Sequence, residues 1–229
     1  MATGRERSNA ESLTLDVDGR ARVSALWMLP PDAHTVYVLA HGAGAGMTHA
    51  FMSAIANELA TVGVGTLRYQ FPYVESRVKR PDPPAVCHAT VRAAATEAAR
   101  RAPGLRLIAG GKSFGGRMTS QAQAISPLAG VRGLAFLGFP LHPPKKPGTD
   151  RAKHLFEVKI PMLFLQGTRD ELADPALLEP IVRGLGERAL LRKIDGADHS
   201  FHVLARSGRN DADVLRELAN ELAEWAISL

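Results

Sequence analysis

Cysteine is almost missing from this sequence: Cys87 stands alone among 229 residues. A lone thiol forms no intramolecular disulfide, and neither a CxxC pair nor a His/Cys cluster offers zinc spacing, so no metal site is expected. A chain of this length buries roughly 70% or more of its unfolded surface and stands without such staples. Long apolar runs are missing too. No uncharged stretch reaches bilayer length, and the opening MATGRERSNAESLTL carries arginines but lacks the apolar run of a signal peptide. The expectation is a cytoplasmic protein with no membrane partner. Clustered charge is the third absence. The net charge is +5, yet the basic residues are spread along the chain with no basic helix and no interleaved aromatics, which argues against a nucleic-acid partner. With no Pro/Gly/Ser-rich linker and no internal repeat, residues 1–229 read as one domain, with residues 1–10 as a flexible tail.

What is present is an ordered alternation. Two short runs, Ser12 to Val17 and Ala21 to Leu29, alternate in polarity around Asp18-Gly19, a strong hairpin signal. Apolar strands then follow at Thr35 to Ala40, Gly65 to Tyr69, Leu105 to Ala109, Gly133 to Leu137, Met162 to Gln166 and Ala189 to Lys193. Between and after them lie helical stretches at His49 to Val62, Pro84 to Arg101, Gly115 to Ser126, Pro175 to Leu185 and Asp211 to Ala226. Such a pattern predicts an α/β fold: a mostly parallel central sheet with an N-terminal antiparallel hairpin and helices on both faces.

The sharpest local signal is the strand Leu105 to Ala109 running into Gly110-Gly111-Lys112-Ser113-Phe114-Gly115-Gly116 and then a helix. This is GxSxG in the strand-turn-helix setting of a nucleophile elbow, where a tight turn exposes the serine. Gly111 and Gly115 are small, as they must be to clear one another across that turn. The helix that follows points free N–H groups at the reacting atoms, Phe114 N–H among them. A phosphate-binding loop ending in Gly111-Lys112-Ser113 would require glycine at position 106, where Arg106 stands.

After the strand Thr35 to Ala40 comes His41-Gly42-Ala43-Gly44-Ala45-Gly46, a loop whose backbone can approach a substrate closely. It is the place for a second oxyanion donor, Ala43 or alternatively Gly44, with Gly42 as a loop glycine. A dinucleotide fingerprint fails here, because Met47 occupies a position that requires a small residue and the next strand closes on Arg68-Tyr69 without an acid. His41 reads as a loop-shaping residue. Serine needs a base of near-neutral pKa, and the chain supplies an acid and a histidine in order at later strand ends: Asp170 after Met162 to Gln166, and His199 after Ala189 to Lys193. Glu171 and Asp174 compete with Asp170, but only Asp170 sits in the first turn after its strand. Asp198 and His202 read as a loop hydrogen-bonding residue and a surface residue, and His49, His88, His142 and His154 as structural or surface residues.

The elements HGAGAG, GKSFGGR, FPLHPP, FLQGTRD and GADHSF, in this order and spacing, resemble the small bacterial α/β hydrolases similar to dienelactone hydrolase. That branch shares its domain with the eukaryotic testis-expressed and NSL-complex subunit proteins. The likeness runs from about Val36 to Trp225 and leaves the first hairpin weakly matched. It implies an α/β-hydrolase fold with a minimal cap and a triad of Ser113, Asp170 and His199. Dienelactone hydrolase proper has a cysteine nucleophile, and this chain has serine there, so its substrate does not carry over.

The combined reading is a serine hydrolase acting on a small ester or thioester, with no cofactor and as a monomer or homodimer. The alternative is a non-catalytic protein-interaction domain on the same fold, since some eukaryotic relatives serve as complex subunits. Specificity is expected from Phe139 to Pro147, whose four prolines in nine residues make it stiff and extended. Lys112, Arg117, Lys145 and Lys146 are candidates for attracting an anionic substrate.

Overall fold

The computed structural model describes residues 10–229; the expected tail, apart from Ala10, lies outside the described residues. β1 (Glu11–Val17) and β2 (Ala21–Met28) pair antiparallel, Val17 opposite Ala21. Three residues join the strands, and within them Asp18 and Gly19 both take positive φ, 52° and 66°, while Arg20 N donates to the Val17 carbonyl at 3.0 Å. Asp16 Oδ1 supports the turn by accepting from the Gly19 amide at 2.6 Å.

β3 (Thr35–Ala40), β4 (Val64–Tyr69), β5 (Arg106–Lys112), β6 (Val131–Leu137), β7 (Met162–Gly167) and β8 (Ala189–Ile194) complete an eight-stranded sheet in the order β1-β2-β4-β3-β5-β6-β7-β8. β2 meets β4 antiparallel, and every pairing beyond is parallel. All residues of β3, β4 and β7 are buried, which is why these strands read as mostly apolar runs without strict alternation, broken in β4 by Thr66 and Arg68 and in β7 by Gln166. β8 closes the sheet with exposed Arg192 and Lys193, charges that discourage pairing along a free edge.

The helices are α1 (Ala50–Thr61), α2 (Pro72–Glu75), α3 (Pro84–Arg101), α4 (Phe114–Ile125), α5 (Pro175–Gly184) and α6 (Asp211–Ile227). Their starts follow from local chemistry. His49 caps α1 by accepting from Phe51 N, Asp174 caps α5 ahead of Pro175, and Asn210 with Asp213 forms a reciprocal capping box on α6. Alternation along β3 divides the core: Val38 joins a cluster with Val91 of α3 and Met118 of α4, whereas Tyr37 joins one with Ile55 of α1 and Leu218 and Trp225 of α6. Helices therefore cover both faces. No described helix is long and apolar enough to cross a membrane.

The expected elements lie where the pattern put them, with shifts at their ends. β5 runs on to Lys112 instead of stopping at Ala109, and β2 stops at Met28 ahead of Pro30-Pro31. Four short pieces have no counterpart in the pattern: α2 and the 3-10 helices Asp150–Glu157, Gly186–Arg188 and Ala205–Ser207. After β6, where a cap would be inserted, the chain runs through residues 138–149 without a helix before the first of those 3-10 segments.

Candidate active site

β5 ends at Lys112 and α4 begins at Phe114, leaving Ser113 alone between them at φ 49°, ψ −114°. A side chain at positive φ costs on the order of 1–3 kcal/mol and persists only where the surroundings impose it. Here the neighbouring strands do so. Ser113 N donates to the Leu137 carbonyl at 3.1 Å. A methyl group on Gly111 would lie 2.2 Å from the Ala40 carbonyl oxygen, and one on Gly115 would lie 2.6 Å from both Ala40 Cβ and the His41 carbonyl oxygen. The two glycines are thus small to clear the end of β3, a correction to the expectation that they clear one another.

The turn delivers Ser113 Oγ to His199 Nε2 at 2.8 Å, and His199 Nδ1 stands 2.7 Å from Asp170 Oδ2. Ionised carboxylate oxygens only accept, so Nδ1 carries the ring proton, Nε2 is left as acceptor, and the serine hydroxyl donates to it. The Asp170 side chain is fully buried and that of His199 is 25% exposed, so one end of the chain is held and the other opens on solvent. Residues from three strand ends, distant in sequence, meet at one rim of the sheet.

The competitors have other employment. Asp198 Oδ1 accepts from the amides of Ser200 and His202 at 2.8 and 3.0 Å, shaping the turn that presents His199. His202 pairs with Asp211 on the surface, and Asp174 caps α5. His142 Nε2 accepts from Asp174 N at 3.0 Å, and His88 meets Gln121. His154 contacts Ser120 Oγ at 2.8 Å, far along α4 from the elbow. Among the described residues, no group of three or more His, Cys, Asp or Glu is placed to hold a metal ion.

A cleft of about 360 Å³ opens beside Ser113, walled by Ala43, His49, Phe51, Met52, Lys112 and Leu172. Ala43 lines it; Gly44, at φ 73°, turns the loop behind. Gly42 also lines it, within 3.8 Å of Ser113 Cβ for a side chain it lacks. His41 holds this loop: Nδ1–H donates to the Gly42 carbonyl at 2.8 Å and Nε2 accepts from Phe71 N at 3.2 Å, and burial lowers its pKa so that the ring stays neutral. The walls are a correction to the expected role of Phe139 to Pro147. Phe139 and Leu141 are buried and His142 is tied to Leu172 and Asp174, so the segment stays out of the cleft itself and lines adjoining hollows instead, Pro144 in one with Leu172 and His199, and His142, Lys145 and Pro147 in another with Asp170 and Glu171.

Three residues support the site in roles that the sequence motifs do not reveal. Gln166 donates from Nε2 to Asp170 Oδ2 at 2.5 Å and accepts from Phe139 N at 2.9 Å, fixing the carboxylate together with the Leu172 amide at 2.8 Å. Arg68, buried in β4, donates to the Met47 carbonyl at 3.1 Å and to Ser53 Oγ at 3.0 Å, bracing the loop that carries Ala43. Lys112 Nζ turns inward to the His199 carbonyl at 2.5 Å. Burial lowers the pKa of this ammonium to about 8, against the opposing pull of Asp170 and Asp198. Arg117 lies against the Phe114 ring, its guanidinium carbon 5.9 Å from the centroid.

Residues 33–227 match the family model described as alpha/beta hydrolase domain. Among solved structures, a serine hydrolase without lid from Xanthomonas campestris is 21% identical with a TM-score of 0.73 over 94% of each chain. Dienelactone hydrolase from Anabaena variabilis is 21% identical, with a TM-score of 0.76 over 96% of this chain and 97% of that one. Est1E from Butyrivibrio proteoclasticus is 16% identical, with a TM-score of 0.70 over 95% and 99%. Such low identities speak for the fold, and the family match speaks for kinship: the chain has the α/β-hydrolase fold and belongs to the alpha/beta hydrolase domain family.

Proposed function

We propose that the protein is a serine hydrolase that cleaves small esters or thioesters through an acyl-enzyme on Ser113. The observation that carries this reading is the continuous hydrogen-bonded chain from Ser113 Oγ through His199 to the buried Asp170, ending in an open cleft. Ser113 Oγ attacks the acyl carbonyl while His199 Nε2 takes its proton, and Asp170 holds the ring's tautomer and stabilises the imidazolium. The tetrahedral oxyanion forms against the Phe114 amide at the start of α4 and the Ala43 amide, with Gly44 as the alternative donor. One such donor is worth about a hundredfold to a thousandfold in rate. Collapse expels the alcohol or thiol, which receives the proton from His199. Water, deprotonated by His199, then releases the acid and regenerates the serine.

We read the chain as one domain acting in the cytoplasm, as monomer or homodimer, on a small molecule suited to a shallow cleft. The motif likeness to the eukaryotic testis-expressed and NSL-complex proteins keeps a scaffold role as the competitor. The strained Ser113 backbone argues against it, since a scaffold has no use for strain at that point. The test is pre-steady-state hydrolysis of a short-chain p-nitrophenyl ester and the matching thioester. A burst of about one equivalent that disappears in Ser113→Ala supports acyl transfer; turnover that persists in that variant refutes it.

A further inference from the structure

We propose that Lys112 is a positioning residue, whose ammonium ties the nucleophile elbow to the loop bearing His199 so that imidazole and hydroxyl stay aligned. The inference rests on the serine-hydrolase reading above.

Lys112 is the last residue of β5 and the immediate neighbour of Ser113, so its backbone moves with the elbow. Its Nζ donates to the His199 carbonyl at 2.5 Å. The same ammonium lies 5.9 Å from the centroid of Phe51, near the start of α1, and 5.3 Å from that of Phe201, two residues beyond His199. Those rings stack on each other at 5.8 Å with 13° between planes. One side chain therefore bridges the elbow, the first turn of α1 and the histidine loop. On the opposite side stands Gly138, from which a methyl group would reach Nζ at 3.1 Å and Asp170 Oδ2 and His199 Cε1 each at 3.5 Å. Ammonium, carboxylate and imidazole thus converge on a single Cα that carries no side chain.

An ammonium in so enclosed a place is costly unless it is hydrogen-bonded and faced by opposite charge. An apolar side chain would fill the space beside the two stacked phenyl rings without that cost. What the ammonium adds is a directional bond to the backbone of the histidine, flanked by the carboxylates of Asp170 and Asp198. Displacing a reacting group by about 1 Å costs on the order of a hundredfold in rate, so a clamp at this carbonyl matters to the chemistry. The titratable groups facing Lys112 are the carboxylates of Asp170 after β7 and Asp198 after β8 and the imidazole of His199, and His49 ahead of α1 lines the same cleft. Its pKa of about 8 means the ammonium is present below that pH and is lost above it, weakening the clamp.

The test follows the rate of modification by a neutral fluorophosphonate, resolved into kinact and KI, for the wild type, Lys112→Met and Lys112→Arg between pH 6 and 9.5. Thermal melting checks that each variant is folded. Lys112→Met should lose about a hundredfold in kinact with KI held within about threefold, and Lys112→Arg should restore most of it. The wild-type kinact should decline above about pH 8, a limb that the permanently charged arginine removes. Wild-type kinact in a folded Lys112→Met, or a change confined to KI, overturns the positioning role. If the methionine variant fails to fold, the alkaline limb and its loss in Lys112→Arg still decide, and a flat wild-type profile counts against the proposal. Modification that survives Ser113→Ala overturns the hydrolase reading itself. Modification that needs Ser113 but ignores Lys112 overturns this inference alone.

Discussion

Two serine–histidine contacts lie within one helix length of each other, and they differ in everything but distance. Ser113 Oγ to His199 Nε2 and Ser120 Oγ to His154 Nε2 are both 2.8 Å. Ser120, however, is fully buried and donates its single hydroxyl proton to the Arg117 carbonyl at 3.0 Å, so it accepts from His154 instead of donating to it. Burial pushes the pKa of His154 down to about 4, helped by Arg117 and His88 nearby, with no carboxylate opposing them. Ser113 has the reverse setting: a carboxylate behind its histidine, a strained backbone and a cleft in front. A hydroxyl beside an imidazole is therefore not enough. The direction of the proton, the sign of the charge behind the ring and access from solvent separate a reactive pair from a packing contact.

The comparison breaks most sharply in activity. Ser113→Ala should lower ester turnover by about four to six orders of magnitude, whereas Ser120→Ala should leave it within about twofold; equal losses in steady-state assays would erase the distinction. Next in size is Asp170→Asn, expected to cost about four orders of magnitude in kcat at neutral pH, because an amide no longer fixes the ring proton on Nδ1. Asp198→Asn, at a residue that shapes the turn and faces Lys112 without bonding to the ring, should cost far less, and kcat values for the pair would sharpen the role of charge behind the ring.

A third difference is strain, and it reads out as stability. Gly115→Ala pushes a methyl group against Ala40 and His41 and should destabilise the fold by about 3 kcal/mol in urea unfolding, against about 1 kcal/mol for Ser120→Ala in regular helix. The smallest effect belongs to His154. Its folded pKa of about 4 lies below the ordinary 6.5, so the unfolded chain takes up the proton first and stability falls as pH drops from about 6.5 through about 4. His154→Gln should shrink the stability difference between pH 7 and pH 4.5 by on the order of 2 kcal/mol; melting curves showing no change would contradict the burial argument.

Strands β3 and β7 were legible because both faces are buried, and α6 because its apolar residues recur at helical spacing behind a capping box. The elbow was legible because the steric demand of Ala40 and His41 at the end of β3, though exerted from far along the chain, falls on Gly111 and Gly115, two positions that flank one serine. Gln166, Arg68 and Lys112 left no such mark. Gln166 reaches Asp170 four residues on but is oriented by Phe139, 27 residues back, and Arg68 and Lys112 bond to Met47 and His199, 21 and 87 residues away, contacts that no local spacing encodes. The segment from Phe139 to Pro147 shows the limit of composition. Prolines announce stiffness, but the direction of the segment is set by the burial of Phe139 and Leu141 and by the bonds of His142. α2 and the 3-10 helix Asp150–Glu157 escaped for want of length, since one or two turns present too little periodicity to read.

The most direct measurement of the central claim is the site of covalent modification. The purified protein is treated with a fluorophosphonate, digested, and the adduct located by fragment-ion mass spectrometry in the wild type and in His199→Ala. The account predicts a single adduct on Ser113, an unmodified Ser120, and near-complete loss of labelling without His199. An adduct on Ser120, or labelling of Ser113 at an undiminished rate when His199 is gone, would contradict it.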